Sequence, residues 1–367
     1  MKSSALAGII VVIVIIVAAA AYIGTQPAAP STTTAPTTTT PKTTTTTTTT
    51  TAEEPLKVAA IHLHPTIVAT EWDISQNLSM LRMKDKYNFT FDFTEGVGVT
   101  DGERVGRSYA DKDYDIIFLT NWYPDAIKAI ADDFPDVVVL GAGGGTELHV
   151  LYPPPEDIPP NVGHYDSFMH ESAYLAGYLA ANVTETNILG IVGQYPVINA
   201  NRYYNGFIQG AKDANPDVEI KLTWVFTWFD PPKTKEAAIA LVEGGADFIF
   251  SDATGAWEGA NEQGVYYVPA QQDRPAIEFA PDVVIASSNW NLDPALDDVI
   301  TGVQEGKFEA REYMYGLADG GVTFKLHLPD KVPSDVLSEL NVLEKRIING
   351  ELVITPVIAA PDEYWGL

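Results

Sequence analysis

The side chains best suited to ligand chemistry lie in one aromatic segment, WVFTWFDPPK (224–233). The segment follows a predicted strand, and it brings Trp224, Phe226, Trp228 and Phe229 into or beside a single loop. Open parallel sheets bind small ligands outside the carboxyl ends of their strands. Large aromatic rings at such a strand end can stack on a flat ligand, so we expect this loop to contribute to a binding site.

The sequence contains no recognised motif for catalysis or metal binding. It lacks GxSxG and HExxH, and its six histidines lie at irregular spacings. It has no cysteine, which excludes disulfides, thiolate metal ligands and a cysteine nucleophile. The glycine run at 141–145 leads into no predicted helix and therefore predicts a turn, and Asp230 before Pro231 is typical of a helix N-cap. We therefore expect no catalytic residue, no metal site and no cofactor.

The aromatic segment belongs to a predicted alternation of strands and helices. Residues 187–252 predict strand, helix, strand, helix and strand, which form two consecutive βαβ crossovers. The same alternation is predicted on either side. The further predicted strands are 56–63, 89–94, 115–119, 136–140, 265–268 and 283–287, and the further helices are 73–87, 124–134, 170–183 and 336–350. This order predicts an α/β fold with parallel sheets, and the length of about 310 residues after position 55 predicts two lobes.

The N-terminal region predicts where the protein is located. Residues 5–24 form a nearly uninterrupted apolar run, and about 20 such residues are long enough to cross a bilayer. We interpret residues 1–24 as a transmembrane anchor in preference to a cleaved signal, and residues 25–55, rich in Thr and Pro, as a disordered stalk. Lys2 is the only basic residue before Lys42, which favours a cytoplasmic N-terminus and an extracellular folded part.

Charge and modification motifs are consistent with this location. The chain has 49 acidic and 22 basic residues, for a net charge of −27. This charge argues against nucleic acid or anionic membranes as partners, because both need patches of Lys and Arg. Three N-glycosylation sequons begin at Asn77, Asn88 and Asn182. They agree with an exposed surface, although single sequons also occur by chance.

Three sequence blocks resemble a known family. They are ESAYLAGYLAANVT (171–184), GIVGQYPVINANRYYNGFIQGAKDANPDVEI (190–220) and WVFTWFDPPKTKEAAIALVEGGAD (224–247). On these blocks, residues 56–355 resemble the basic membrane protein family of ABC-transporter substrate-binding proteins, which is similar to the purine-nucleoside receptor lipoproteins. The Thr-rich stalk on a helical anchor also resembles the cell-surface binding proteins of archaea.

The resemblance implies a type I periplasmic-binding-protein fold, in which two Rossmann-like lobes are joined by a three-segment hinge. Each lobe is then discontinuous in sequence. Lobe 1 comprises residues 56–163 and 290–322, and lobe 2 comprises residues 164–289 and 323–367. A ligand would bind between the two lobes.

The same resemblance implies which residues contact that ligand. Trp228 would stack on a purine, and Trp72 would supply the facing aromatic ring. Gln76 and Asn77 replace a His-Asp pair of the family, and their amides can still pair with a purine edge. The remaining candidates lie at strand ends or on a hinge strand, and they are Asn121, Trp122, Asp252, Asp273 and Trp290. Asp252 would hold ribose hydroxyls or serve as a helix N-cap, and Trp290 would contact the ligand or pack the hinge.

The implied function is extracellular capture of a nucleoside or purine-like ligand and its delivery to an ABC permease in the membrane, without catalysis. The first alternative keeps the fold but binds a sugar or another polar solute, since indole rings also stack on pyranose faces. The second alternative is a hydrolase or adhesin mounted on the stalk. The absence of an acid–base or nucleophile motif disfavours a hydrolase, and the two-lobed pattern disfavours an adhesin.

Overall fold

The structure is a computed structural model, and it describes residues 54–65, 70–143 and 146–367. The predicted anchor and nearly all of the predicted stalk lie outside these ranges. Within them, no helix has the length and apolar character needed to cross a membrane.

The described residues alternate between strands and helices, as predicted. The strands are β1 (Lys57–Ile61), β2 (Thr90–Thr94), β3 (Ile116–Leu119), β4 (Val138–Ala142), β5 (Val162–Ser167), β6 (Ile188–Gly193), β7 (Glu219–Trp224), β8 (Phe248–Ser251), β9 (Tyr266–Gln271), β10 (Ala286–Trp290), β11 (Glu312–Tyr315) and β12 (Val322–Leu326). The helices are α1 (Glu71–Tyr87), α2 (Gly102–Ala110), α3 (Pro124–Asp133), α4 (Leu148–Leu151), α5 (Met169–Val183), α6 (Ile198–Ala214), α7 (Pro231–Glu243), α8 (Ala256–Gln263), α9 (Arg274–Phe279), α10 (Asp293–Gln304), α11 (Ser334–Ile348) and α12 (Pro361–Trp365).

The strands form two six-stranded sheets. Sheet 1 has the order β11-β5-β4-β3-β1-β2, and sheet 2 has the order β12-β10-β9-β8-β6-β7. Neighbouring strands run parallel, except that β10 and β12 are antiparallel. The chain passes from one sheet to the other after β5, after β10 and after β11. This arrangement confirms the predicted α/β class, whereas the division into lobes at the predicted residue boundaries stays a prediction.

The inner strands of each sheet are apolar because both of their faces are covered, whereas edge strands such as β2 and β12 are largely exposed. All four residues of β3 are buried, and so are all but the first residue of β1. Strands buried on both faces read as continuous apolar runs rather than as an alternation of polar and apolar residues. The predicted strand at 283–287 lies three residues too early, because Val284 forms only an isolated bridge with Tyr267 and the regular pairing of β10 begins at Ala286.

Two helices in contact with sheet 2 cross at unusually short range. A Cβ added at Gly177 of α5 would lie 1.8 Å from the Phe207 carbonyl oxygen, and one at Gly210 of α6 would lie 1.9 Å from the Tyr174 carbonyl oxygen. Side chains are excluded at both positions, so the helix backbones touch. This contact explains the small residues in both helices, and it fixes the position of α6, whose first turn reaches the site described below.

Polar side chains set the starts of two helices. Thr70 Oγ1 accepts a hydrogen bond from the Asp73 backbone N–H at 3.1 Å, so α1 begins two residues before the predicted start. Asp230 Oδ1 accepts one from the Lys233 backbone N–H at 3.1 Å, with Pro231 in the first turn of α7. The N-cap prediction for Asp230 is therefore confirmed.

Candidate functional site

A cavity of about 510 Å³ is lined by residues from the carboxyl ends of both sheets. Its volume lies within the range of about 300–1,000 Å³ that is typical of small-molecule sites. In sheet 1 the lining includes His64 after β1, Val99 after β2, Asn121 after β3 and Gly143 after β4. In sheet 2 it includes Tyr195 after β6, Trp228 after β7, Asp252 after β8 and Gln271 at the end of β9. Eight strand ends therefore converge on one cavity, as open parallel sheets favour.

The aromatic segment contributes Trp228 to this cavity. The indole is 39% exposed, and its ring centroid lies 4.5 Å from that of Tyr195. Gln194 Nε2 donates a hydrogen bond to the Trp228 carbonyl at 2.9 Å, and the Tyr195 hydroxyl donates one to the Phe226 carbonyl at 2.8 Å. Phe226 and Phe229 are exposed outside the lining. The loop after β6 thus holds the loop after β7 and presents Trp228 to the cavity.

The second aromatic face of the cavity is Trp72 on α1. Its Nε1 donates a hydrogen bond to the Thr120 carbonyl at 2.6 Å. Its ring centroid lies 4.2 Å from that of Trp290, with 49° between the ring planes. Gly143, at φ +84°, lies beside the indole, and a Cβ added there would be in van der Waals contact with it, 3.4 Å from Trp72 Cζ2. The ring is therefore fixed on three sides. Trp290 is buried behind Trp72, outside the cavity lining.

Asp252 is a buried carboxylate in the cavity lining. Its two oxygens accept hydrogen bonds from the hydroxyls of Tyr203 and Tyr204, which lie on α6. Burial raises the pKa of Asp252 to about 6, and the two tyrosine hydrogen bonds act in the opposite direction. The helix-cap alternative for Asp252 is wrong, because α8 begins at Ala256 with Gly255 at its N-cap. The proposed contact of Asp252 with a sugar stays a prediction.

A polar network at the start of α1 was not found from the sequence. His64 Nδ1 lies 3.0 Å from Asp73 Oδ2, and the Thr70 hydroxyl donates to the same oxygen at 2.6 Å. Burial alone would raise the pKa of Asp73, but the neighbouring His62 and His64 imidazoles and the Thr70 hydroxyl together hold it below its usual value. His64 and Thr70 both line the cavity. The sequence did contain a pattern that could have predicted this network. His64 follows the first predicted strand, and Thr70 and Asp73 have the Thr-x-x-Asp spacing of a helix N-cap.

The structure brings five of the nine predicted site residues to the cavity. Trp72, Asn121, Trp122, Trp228 and Asp252 all line it. Asn121 Oδ1 accepts a hydrogen bond from the Leu63 backbone N–H at 3.1 Å, which orients its amide. The Trp122 side chain is 56% exposed, so it lies at the solvent-facing part of the lining.

The other four predicted residues lie outside the lining. Gln76 is fully buried, where it donates to the Thr120 carbonyl at 3.1 Å and accepts from the Tyr165 hydroxyl at 2.6 Å. Asp273 accepts hydrogen bonds from Ser287 Oγ at 2.9 Å and Asn289 Nδ2 at 2.8 Å. The remaining two, Asn77 and Trp290, lie on α1 and β10. Their contact with a ligand stays a prediction.

Backbone strain also marks the site. Phe226 and Gln271 have φ values of +48° and +73°, and both lie at strand ends beside the cavity. Residues other than glycine that adopt such angles concentrate at functional sites, where the surrounding structure enforces them. Gln271 lines the cavity, and its Nε2 lies 3.4 Å from the Tyr203 hydroxyl oxygen.

Within the described ranges, no cluster of His, Asp and Glu is arranged to hold a metal ion.

Comparison with known proteins points to one family. Residues 57–356 match the family described as ABC transporter substrate-binding protein PnrA-like. A putative ABC transporter glucose-binding protein of Haloferax volcanii is 30% identical over 285 residues, which cover 77% of this chain and 69% of that protein. A purine-binding protein of Brucella abortus is 30% identical over 309 residues, which cover 82% and 83% of the two chains.

The fold is also similar to solved structures. A solute-binding protein of an ABC transporter system from Aeropyrum pernix superposes with a TM-score of 0.71 at 18% identity. The alignment covers 85% of this chain and 96% of that one. At this level of identity the similarity concerns the fold, and it agrees with the two parallel sheets described above.

Proposed function

The chain belongs to the family of PnrA-like ABC-transporter substrate-binding proteins, and we propose that it captures a nucleoside or related purine in the cavity between its two lobes. The observation that carries this proposal is the pair of indoles, Trp72 from the side of sheet 1 and Trp228 from the side of sheet 2, in one cavity lining. Stacking on an aromatic ring contributes about 1–3 kcal/mol per base. Two such rings favour a flat aromatic ligand.

The polar lining supports an uncharged ligand with several hydrogen-bonding groups. Gln194 and Gln271 offer amide donors and acceptors, and Asn121 offers its amide N–H donors, which suit the edges of a purine. Among the described residues that line the cavity, none is a lysine or an arginine. A phosphate group would lack a cationic partner at these positions, which favours a nucleoside or base over a nucleotide. The name of the Brucella relative, a purine-binding protein, supports the same class.

A sugar is the second candidate ligand. The Haloferax relative is named as a putative glucose-binding protein, and it is as similar to this chain as the purine-binding relative. Indole rings can stack on the apolar face of a pyranose, and Asp252 could accept hydrogen bonds from sugar hydroxyls. Membership in a family of solute-binding proteins favours binding over the hydrolase and adhesin alternatives.

The partner and location follow from the family and the sequence together. We infer that the protein delivers its ligand to an ABC permease from the extracellular side of the membrane. The apolar residues 1–24 would anchor it, or direct its secretion if they are cleaved, and residues 25–55 would act as the stalk. An archaeal relative among similar proteins supports the archaeal-like surface organisation. N-terminal sequencing of the membrane-bound protein tests the anchor, since loss of residues 1–24 would contradict it.

Thermal unfolding of the full chain tests the ligand class. The panel comprises adenosine, guanosine and hypoxanthine against glucose and ribose. A ligand at 100 times its Kd stabilises the folded state by about 2.7 kcal/mol, which raises Tm measurably. We expect the purine compounds to raise it. If glucose raises Tm and no purine does, the sugar alternative replaces the proposal.

A further inference from the structure

A buried carboxyl group joins the two sheets beside the cavity. Glu71 is the first residue of α1 and is 4% exposed, and its Oε2 accepts a hydrogen bond from Thr254 Oγ1. Glu71 belongs to the helix after β1 of sheet 1, and Thr254 follows β8 of sheet 2. The cavity residue Trp72 is next to Glu71 in sequence, and Asp252 lies two residues before Thr254. The Glu71–Thr254 contact therefore lies at the edge of the site.

The surroundings of Glu71 favour its neutral form. The groups that face it are the Thr254 hydroxyl, the Asp252 carboxylate after β8 and the Tyr267 phenol on β9. Burial raises the pKa of Glu71 to about 8. The hydrogen bond from Thr254 acts in the opposite direction, and the negative charge of Asp252 adds to the rise. A solvated glutamate has a pKa near 4.3. The proton is thus held far more tightly in this buried arrangement than it would be in water.

We propose that the Glu71–Thr254 contact closes the cleft in a proton-dependent manner, so that closure over a ligand takes up one proton at Glu71. Proteins of this fold close around ligands by a hinge motion between lobes. Opening would separate Glu71 from Thr254 and hydrate the carboxyl group, which then releases its proton to solvent at neutral pH. Closure reverses the step. This inference rests on the proposed function, because it assigns a regulation to the same cleft.

The direction in which pH changes the closing equilibrium follows from the pKa of Glu71 in the closed and open states of the cleft. The closed state binds the proton more tightly than the open state, so low pH favours closure and high pH opposes it. A linkage of one proton changes the closing equilibrium by about tenfold per pH unit within the window between the two pKa values. Ligand affinity should therefore fall as pH rises from 6 towards 8.

A distance measurement on the ligand-free full chain tests the contact without knowledge of the ligand. The absence of native cysteine allows spin labels at Asp111→Cys and Gln263→Cys, two exposed positions beside the two sheets. We expect a shorter mean distance at pH 6 than at pH 9. Glu71→Gln should keep the short distance at both pH values, and Thr254→Val should lengthen it at pH 6. Glu103→Gln, an exposed glutamate paired with Arg107, is the control and should behave as the parent protein.

Calorimetry with adenosine tests the coupling to binding. In two buffers with different ionisation heats at pH 7, the parent protein should take up about one proton per adenosine, and Glu71→Gln close to none. The adenosine Kd should rise severalfold, and at most about tenfold, from pH 6 to pH 7 in the parent, because part of the ligand-free chain is already closed and protonated at pH 6. In Glu71→Gln it should rise less than twofold. A pH-independent distance in the parent, or a Glu71→Gln variant that still follows pH, would overturn the inference. Absence of adenosine binding at every pH would count against the proposed ligand alone, because the distance measurement still decides the role of Glu71.

Discussion

The indole of Trp228 packs against the phenol ring of Tyr195, with 4.5 Å between the ring centroids and 44° between the ring planes. Trp228 follows β7 and Tyr195 follows β6, and these two strands pair in parallel. The contact therefore joins two neighbouring strand-end loops at the edge of sheet 2. It leaves 39% of Trp228 exposed. A ring held in this way can stack on a ligand without first losing its own conformational freedom, which lowers the entropic cost of binding.

Replacement of Trp228 by alanine should remove most of the ligand affinity. Loss of one stacking ring costs about 1–3 kcal/mol, which corresponds to a Kd weaker by roughly fivefold to 150-fold. Because the side chain is partly exposed, the Tm of the unliganded protein should change little. Phe229→Ala is a matched control, since Phe229 is 42% exposed in the same loop but lies outside the cavity lining. A large loss of unliganded stability in Trp228→Ala would instead show that Trp228 is a packing residue.

Tyr195 should act as a positioning residue for Trp228. Tyr195→Phe keeps the ring contact and loses the hydrogen bond to the Phe226 carbonyl, so we expect a loss of affinity of about 0.5–1.5 kcal/mol. Tyr195→Ala should cost more. A double-mutant cycle gives the diagnostic measurement: in the Trp228→Ala background, Tyr195→Ala should have little further effect on Kd. Additive losses would show that Tyr195 contacts the ligand independently.

The pair of buried His164 and partly exposed Glu312 should make stability depend on pH. Burial lowers the pKa of His164, but the Glu312 carboxylate more than offsets this and raises it above its usual value. Burial alone would raise the pKa of Glu312, but the His164 imidazole has the larger effect, and the pKa of Glu312 lies below its usual value. The His164 contribution is present below pH 6.5 and is lost as pH rises through the raised pKa. The Glu312 contribution is present above pH 4.5 and is lost as pH falls.

Denaturant unfolding of His164→Gln at pH 5.5 and pH 8.5 measures this pair. The parent should be more stable at pH 5.5 than the variant by about 1–3 kcal/mol, and the difference should shrink at pH 8.5. Glu278→Gln replaces an exposed glutamate far from the pair in sequence, and its stability should stay close to that of the parent at both pH values. An equal difference between parent and His164→Gln at the two pH values would contradict the assigned pair.

Gly210→Ala should destabilise the fold even though alanine favours helices. The new Cβ would lie 1.9 Å from the Tyr174 carbonyl oxygen, so α5 and α6 would have to move apart. Overpacking of this kind costs about 1–3 kcal/mol, which exceeds the gain of about 0.5–1 kcal/mol from helix propensity. Gly302→Ala is the control, because the nearest atom to its Cβ is 3.4 Å away. Since α6 also carries cavity residues, the ligand Kd of Gly210→Ala should weaken as well, and unchanged stability would disprove the close crossing.

Local patterns in the sequence were enough to predict much of the architecture. The alternation of apolar strands and helices, the N-cap at Asp230 and the strand-end position of Trp228 all depend on residues within about ten positions of one another. The start of the β10 strand was harder to predict. Val284 and Ala286 are both buried and apolar, so hydrophobicity alone does not tell where regular pairing starts.

The sequence by itself determined the α/β class, the order of the elements and the strand end that carries Trp228, because hydrophobic periodicity and helix caps act over short distances along the chain. Only the tertiary structure decided which polar groups face the cavity. Gln76 was a candidate for the ligand, yet its amide is buried against Tyr165, 89 positions away. Glu71 meets Thr254 across 183 positions. Such contacts depend on how the two sheets and their helices pack together, and no local pattern in the sequence records that packing.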